Sequence, residues 1–173
     1  AFLNRLGLQP NMVTLLGVAG NTVAACFLAT GQITLGDLVV LASAPLDALD
    51  GTMARLRGKS SKFGAFVDSV SDRYSELIIF LGLLIHYMQQ GDGLNVVLVY
   101  LAAAGSILVS YVKARAESLG YEAKIGLLSR VERFLVLIPS LILNIAPVGL
   151  WIISIFANGT AIQRIWHVRA QAR

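Results

Sequence analysis

Cysteine is nearly absent from this chain: Cys26 stands alone, which excludes an intrachain disulfide and any thiol-rich metal cluster. Charge is scarce too. Asp, Glu, Lys and Arg make up 14% of the residues, well under the roughly one quarter of an ordinary soluble domain. Apolar residues reach 56% and the mean hydropathy is +0.71, which excludes an ordinary water-soluble domain and reads as one integral membrane domain. There is no internal repeat, no low-complexity tract and no interdomain linker, and Arg57 to Lys62 reads as a short polar turn. The first long apolar run continues to Thr30 without a small-residue cleavage site, which argues against a cleavable signal peptide. Because the chain opens on Ala1-Phe2-Leu3-Asn4-Arg5, an upstream segment is expected.

What is present is a series of apolar segments with helical lengths. They fall at about 11–30, 34–57, 64–89, 94–118, 129–145 and 147–168, each near the ~20 residues that cross a bilayer, with the fifth short. The expected fold is therefore all-α, a single domain over residues 1–173 with six transmembrane helices and both termini cytoplasmic. Basic residues test this arrangement, because Lys and Arg flanking spans stay inside. All fourteen fall on one side, and the opposite connections near Gly31, Gln89 to Gly93 and Asn144 to Pro147 carry none. The pI of about 9.5 thus reflects topology, anionic lipid and anionic substrates, and it does not indicate nucleic acid.

Four carboxylates stand inside this apolar setting, at Asp47, Asp50, Asp68 and Asp72. Unpaired, they would repel one another and resist desolvation, and divalent ions are the usual remedy. Asp47 and Asp50 are i, i+3 and Asp68 and Asp72 are i, i+4, so each pair shares a face of its own helix. Counted at ~1.5 Å per residue from the outer turns, all four lie in the inner third of the membrane. Gly51, Ala54 and Gly64 leave room beside them for a ligand backbone or phosphate, and Arg55 can neutralise phosphate charge. Oxygen donors without His or Cys favour Mg, Mn or Ca over Zn.

Asp47-x2-Asp50-Gly51-x2-Ala54-Arg55-x8-Gly64-x3-Asp68-x3-Asp72 resembles the signature of the CDP-alcohol phosphotransferases, a family of six-helix membrane enzymes. The resemblance extends over the whole layout and includes Pro10-Asn11-x2-Thr14. It implies transfer of a substituted phosphate from a CDP-linked donor to an alcohol, with release of CMP. Asp47, Asp50 and Asp68 would hold two divalent ions, Mg2+ or Mn2+. Asp72 would assist them or act as the catalytic base. Asn11, Thr14, Gly51, Ala54, Arg55 and Gly64 would line the CDP site.

A second cluster bears on the acceptor. Lys113 and Arg115 end the fourth segment, Arg130 and Arg133 begin the fifth, and Arg164 lies late in the sixth. Lys113, Arg133 and Arg164, with Arg115 nearby, are expected to meet beside the aspartates and take an acceptor phosphate. The Tyr111-Val-Lys-Ala-Arg-Ala-Glu-Ser118 run and the Glu132-Arg133 pair are similar to the actinobacterial phosphatidylinositol phosphate synthases. That likeness implies CDP-diacylglycerol as donor and inositol 1-phosphate, or another phosphorylated polyol, as acceptor. Phosphatidylglycerol phosphate synthesis from glycerol 3-phosphate is the alternative. A divalent metal transporter is the competing class, opposed by the lack of ionisable residues in the outer half. The bland readings are that the basic residues are snorkelling topology anchors and that Glu132 only orients Arg133. His86 reads as interfacial, and the Ala102 to Ser106 run as a helix-packing stripe, including at a homodimer interface. The setting is a bacterial inner membrane, with the active site facing the cytoplasm and membrane lipid around it.

Two outcomes follow from the motif and the charge pattern. Asp47→Ala, Asp50→Ala or Asp68→Ala should abolish divalent-dependent CMP release from a folded protein, and Asp72→Asn should impair it severely. Near-normal turnover in three of the four would remove the assignment. An impermeant thiol reagent applied from outside should label a cysteine placed at Gln90 and spare one at Ser60; the reverse pattern would invert the topology.

Overall fold

The computed structural model of the chain describes residues 10–43 and 62–173. Among these residues all regular structure is helical: α1 Pro10–Ala29, α2 Ile33–Ser43, α3 Lys62–Gln89, α4 Gly93–Ser118, α5 Arg130–Ile142 and α6 Ala146–Gln171. Two of them, α4 and α6, are long and apolar enough to cross a membrane, and their 26 residues each reach about 39 Å at ~1.5 Å per residue. The 28-residue α3 is long enough but carries Lys62, Asp68, Asp72, Arg73 and Glu76 along its first 15 residues. At 13 residues α5 spans only about 20 Å and contains Pro139. The chain divides into two compact units, 1–86 and 87–173.

In the first unit the core is aliphatic, with Ala24, Leu28, Val40, Ile79 and Leu83 fully buried or nearly so. Small residues set how closely the helices approach. A Cβ placed on Gly82 of α3 would lie 2.6 Å from the Ala25 carbonyl oxygen and 2.8 Å from its Cα, so only glycine allows this backbone contact with α1. His86 lies against the 30–32 turn, beside Gly31.

In the second unit α6 packs along α4 and against α5. The packing stripe expected at Ala102 to Ser106 is used within the chain: Ala102, Gly105 and Ser106 are buried, with Gly105 against Asn158 and Ala157 of α6. Asn158 fastens the pair by donating to the carbonyls of Leu101 at 3.0 Å and Ser154 at 2.7 Å. Helix ends follow local chemistry. The Asp92 carboxylate accepts from the Asn95 amide at 3.1 Å to start α4, and Pro147 sits in the first turn of α6. Glu132, expected to orient Arg133, instead reaches back to the Ser129 backbone N–H in the capping box that starts α5.

The glycine contact predicts a measurable cost. Gly82→Leu should overpack the α1–α3 seam and destabilise the first unit by about 1–3 kcal/mol, seen as a lower Tm in detergent, whereas a leucine at Gly159, where an added Cβ meets nothing within 4 Å, should be far milder.

Candidate active site

The acidic half of the predicted site rests on α3. Gly64, Asp68 and Asp72 recur every fourth residue, so they form one stripe along the helix, and all three are half-buried. Arg73 Nη1 lies 3.3 Å from Asp72 Oδ2 and donates to the Ser69 carbonyl at 3.2 Å, which partly offsets the carboxylate charge without covering it. Thr14 is buried on α1. Asp47, Asp50, Gly51, Ala54 and Arg55 lie outside the described residues, as does the side chain of Asn11. No group of three His, Cys, Asp or Glu residues is gathered for a metal among the described residues. The pair that is described, Asp68 and Asp72, supplies hard oxygens on one partly solvated face, a donor set that suits Mg2+ or Mn2+.

One acidic residue on this stripe escaped the sequence reading. Glu76 continues the same spacing one turn past Asp72 and is only 4% exposed. The i+4 periodicity was a sufficient signal for it. A second, Asp37 of α2, is fully buried with neither carboxylate oxygen hydrogen-bonded among the described residues, and its only sequence signal is a lone acid in an apolar run.

The basic half is in the second unit. Arg133 and Arg164 are 2% and 7% exposed, which excludes the snorkelling reading, since an anchor of that kind keeps its head in water. Each guanidinium is held by backbone oxygens. Arg133 Nη1 donates to the Leu128 carbonyl at 3.0 Å. Arg164 donates from Nε to Ile125 at 2.8 Å and from Nη1 to Val109 at 2.6 Å. Arg133 repels Arg164 electrostatically, while Glu117 attracts it. Two like charges gathered in one buried place make that place favourable to an anion.

Lys113 lies one turn beyond Val109 on α4, on the face that Arg164 reaches, and its Nζ is 3.9 Å from Glu117 Oε1. Arg115 is exposed, and two residues along the helix turn it roughly 200° away from Lys113. Arg130 stacks over the Phe134 ring at 5.5 Å. The structure thus gathers Arg133, Arg164 and the Lys113 face of α4 within one unit.

The model of the CDP-alcohol phosphatidyltransferase family matches residues 8–163. The chain belongs to that family. Among its relatives, phosphatidylinositol phosphate synthase of Streptomyces avermitilis is 36% identical, over 99% of this chain and 77% of its own length. Archaetidylinositol phosphate synthase of Pyrococcus horikoshii is 34% identical, over 96% and 87%. Crystal structures of the Mycobacterium tuberculosis phosphatidylinositol phosphate synthase superpose closely. The one with CDP-DAG bound gives a TM-score of 0.89 at 32% identity, covering 96% of this chain and 89% of that one. The one in complex with manganese and citrate gives 0.89 at 31%, covering 96% and 85%. This phosphatidyltransferase chain is therefore all-α and shares its fold with a metal-binding relative.

Proposed function

We propose that this phosphatidyltransferase moves the phosphatidyl group of CDP-diacylglycerol onto a hydroxyl of inositol 1-phosphate, giving phosphatidylinositol phosphate and CMP. The observation that carries the acceptor is the buried Arg133–Arg164 pair: two guanidiniums in one buried place favour a phosphorylated acceptor over a neutral inositol. The relatives named phosphatidylinositol phosphate synthase and archaetidylinositol phosphate synthase support the same reading.

In the reaction the acceptor oxygen attacks the lipid-bearing phosphorus, the bond from that phosphorus to the CMP oxygen breaks, and the hydroxyl proton passes to a carboxylate. Asp72 is the residue for that proton, because it stands one turn from Asp68 on the same stripe and is partly open to solvent, where an incoming hydroxyl can meet it. Asp47, Asp50, Asp68 and Asp72 would hold two divalent ions, which supply neutralisation of the diphosphate charge. Arg55, Gly51, Ala54 and Gly64 would receive the CDP moiety, with Asn11 and Thr14 beside it. Lys113, Arg133 and Arg164 would take the acceptor phosphate; Arg115, turned away and exposed, would serve at its margin. We place the chain in a bacterial inner membrane as a six-span protein, termini and acidic motif cytoplasmic, and as a homodimer.

The acceptor assignment is tested by offering the purified protein inositol 1-phosphate, glycerol 3-phosphate, free inositol and serine in parallel with CDP-diacylglycerol. Inositol 1-phosphate should give the fastest CMP release. A charge-assisted hydrogen bond to phosphate is worth about 1.5–3 kcal/mol, so Arg133→Ala should raise the KM for inositol phosphate roughly tenfold to a hundredfold and leave that for CDP-diacylglycerol nearly unchanged. Preference for glycerol 3-phosphate would move the chain to phosphatidylglycerol phosphate synthesis. Metal flux without CMP formation would make it a transporter.

A further inference from the structure

The α4–α5 connection is not a free loop. Residues 122–128 run antiparallel to the last three turns of α6 and are fastened to it by side chains of a single face. Thr160 Oγ1 donates to the Leu127 carbonyl, Arg164 Nε to that of Ile125, and Gln171 closes a two-bond clasp on Glu122. In the clasp Gln171 accepts from the Glu122 amide at 2.9 Å and donates to its carbonyl at 2.6 Å. Positions 160, 164 and 171 fall within about 40° of one another around a helix, so the strap is encoded in α6.

The strapped backbone is also strained. Gly126 has φ +102°, and a Cβ there would collide with Thr160. Leu128 has φ +61°, the left-handed region that a branched apolar side chain disfavours by roughly 1–2 kcal/mol. Its carbonyl is the one that Arg133 holds. The bond that retains Leu127 therefore sits one residue from the acceptor for Arg133, and Arg164 belongs to the strap itself.

We propose that Thr160 and Gln171 are positioning residues for acceptor recognition: by holding 122–128 against α6 they keep the Leu128 and Ile125 carbonyls where they aim Arg133 and Arg164. This rests on the reading that those arginines take the acceptor phosphate. Neither positioning residue needs to touch substrate. Their contribution is preorganisation, so that the phosphate does not have to order the segment as it binds.

The test is a comparison of Thr160→Val, Thr160→Ser, Gln171→Ala and Gly126→Ala with Arg133→Ala and Arg164→Ala, measuring Tm, kcat and both KM values. One neutral hydrogen bond is worth about 0.5–1.5 kcal/mol, so Thr160→Val and Gln171→Ala should each raise the KM for inositol phosphate about twofold to tenfold. The KM for CDP-diacylglycerol and kcat at saturating acceptor should stay near the parent values. Thr160→Ser should restore the acceptor KM, and Gly126→Ala should reproduce the defect. Gln171 is exposed at the helix end, so its variant should remain folded even if Thr160→Val does not. The proposal is overturned if both arginine variants raise the acceptor KM while Gln171→Ala and Thr160→Val are both indistinguishable from the parent and Gly126→Ala has no effect. It is equally overturned if strap variants raise both KM values together or lower kcat alone. If the arginine variants leave the acceptor KM unchanged, the phosphate reading and the positioning role fail together.

Discussion

A charged side chain inside an apolar bundle has to be given oxygens, and in the second unit that requirement organises everything from the end of α4 to the end of α6. Arg133 and Arg164 are too buried to be solvated by water, so backbone carbonyls solvate them. The carbonyls come from Val109, at α4, and from the 122–128 segment, where no helix consumes them. An ordinary tight helix connection could not supply them at that depth. The irregular segment keeps its exposed residues, Glu122, Lys124, Gly126 and Leu127, on the outside, while its carbonyls are matched by Thr160, Arg164 and Gln171 of α6 and by Arg133.

The two kinds of charge are handled differently. Asp68 and Asp72 on α3 are left half-buried along a stripe, with Arg73 beside Asp72, an arrangement that keeps oxygens available to a cation. The guanidiniums are nearly sealed, with donors given to the backbone carbonyls of Leu128, Ile125 and Val109. An exposed cation would bind any anion weakly; a sealed, aimed one selects for an anion of matching shape.

Much of this was legible in the residues. Helix positions followed from apolar runs and their breaks, and the α1, α3, α4 and α6 limits fall within about three residues of the expected ones, because Gly31, Gly91 and Pro147 punctuate the chain. The aspartate spacing carried the family on its own. Glu76 was missed although it obeys the same i+4 rule, since attention to a fixed motif stops where the motif stops. Glu132 was misassigned for a different reason: a capping box is a local backbone interaction, and Ser129-x2-Glu132 announces it without reference to Arg133. The roles of Thr160 and Gln171 had no sequence signal. Their partners are backbone atoms 33 and 49 residues away, and backbone atoms leave no trace in residue identity.

The shortness of α5 has a bearing on the lipid as well as on the protein. Through the Thr160–Leu127 bond its first turn is level with Thr160, so α6 continues 11 residues, or about 16 Å, beyond the point where α5 begins. In the proposed six-span arrangement, acyl chains lying against α5 would meet a wall about 20 Å tall, well below the ~30 Å of an undisturbed hydrocarbon core, and the bilayer would thin along it. A lipid whose reacting phosphate sits at the head-group boundary would then be carried toward the protein by the shape of the membrane itself, with its tails still in hydrocarbon.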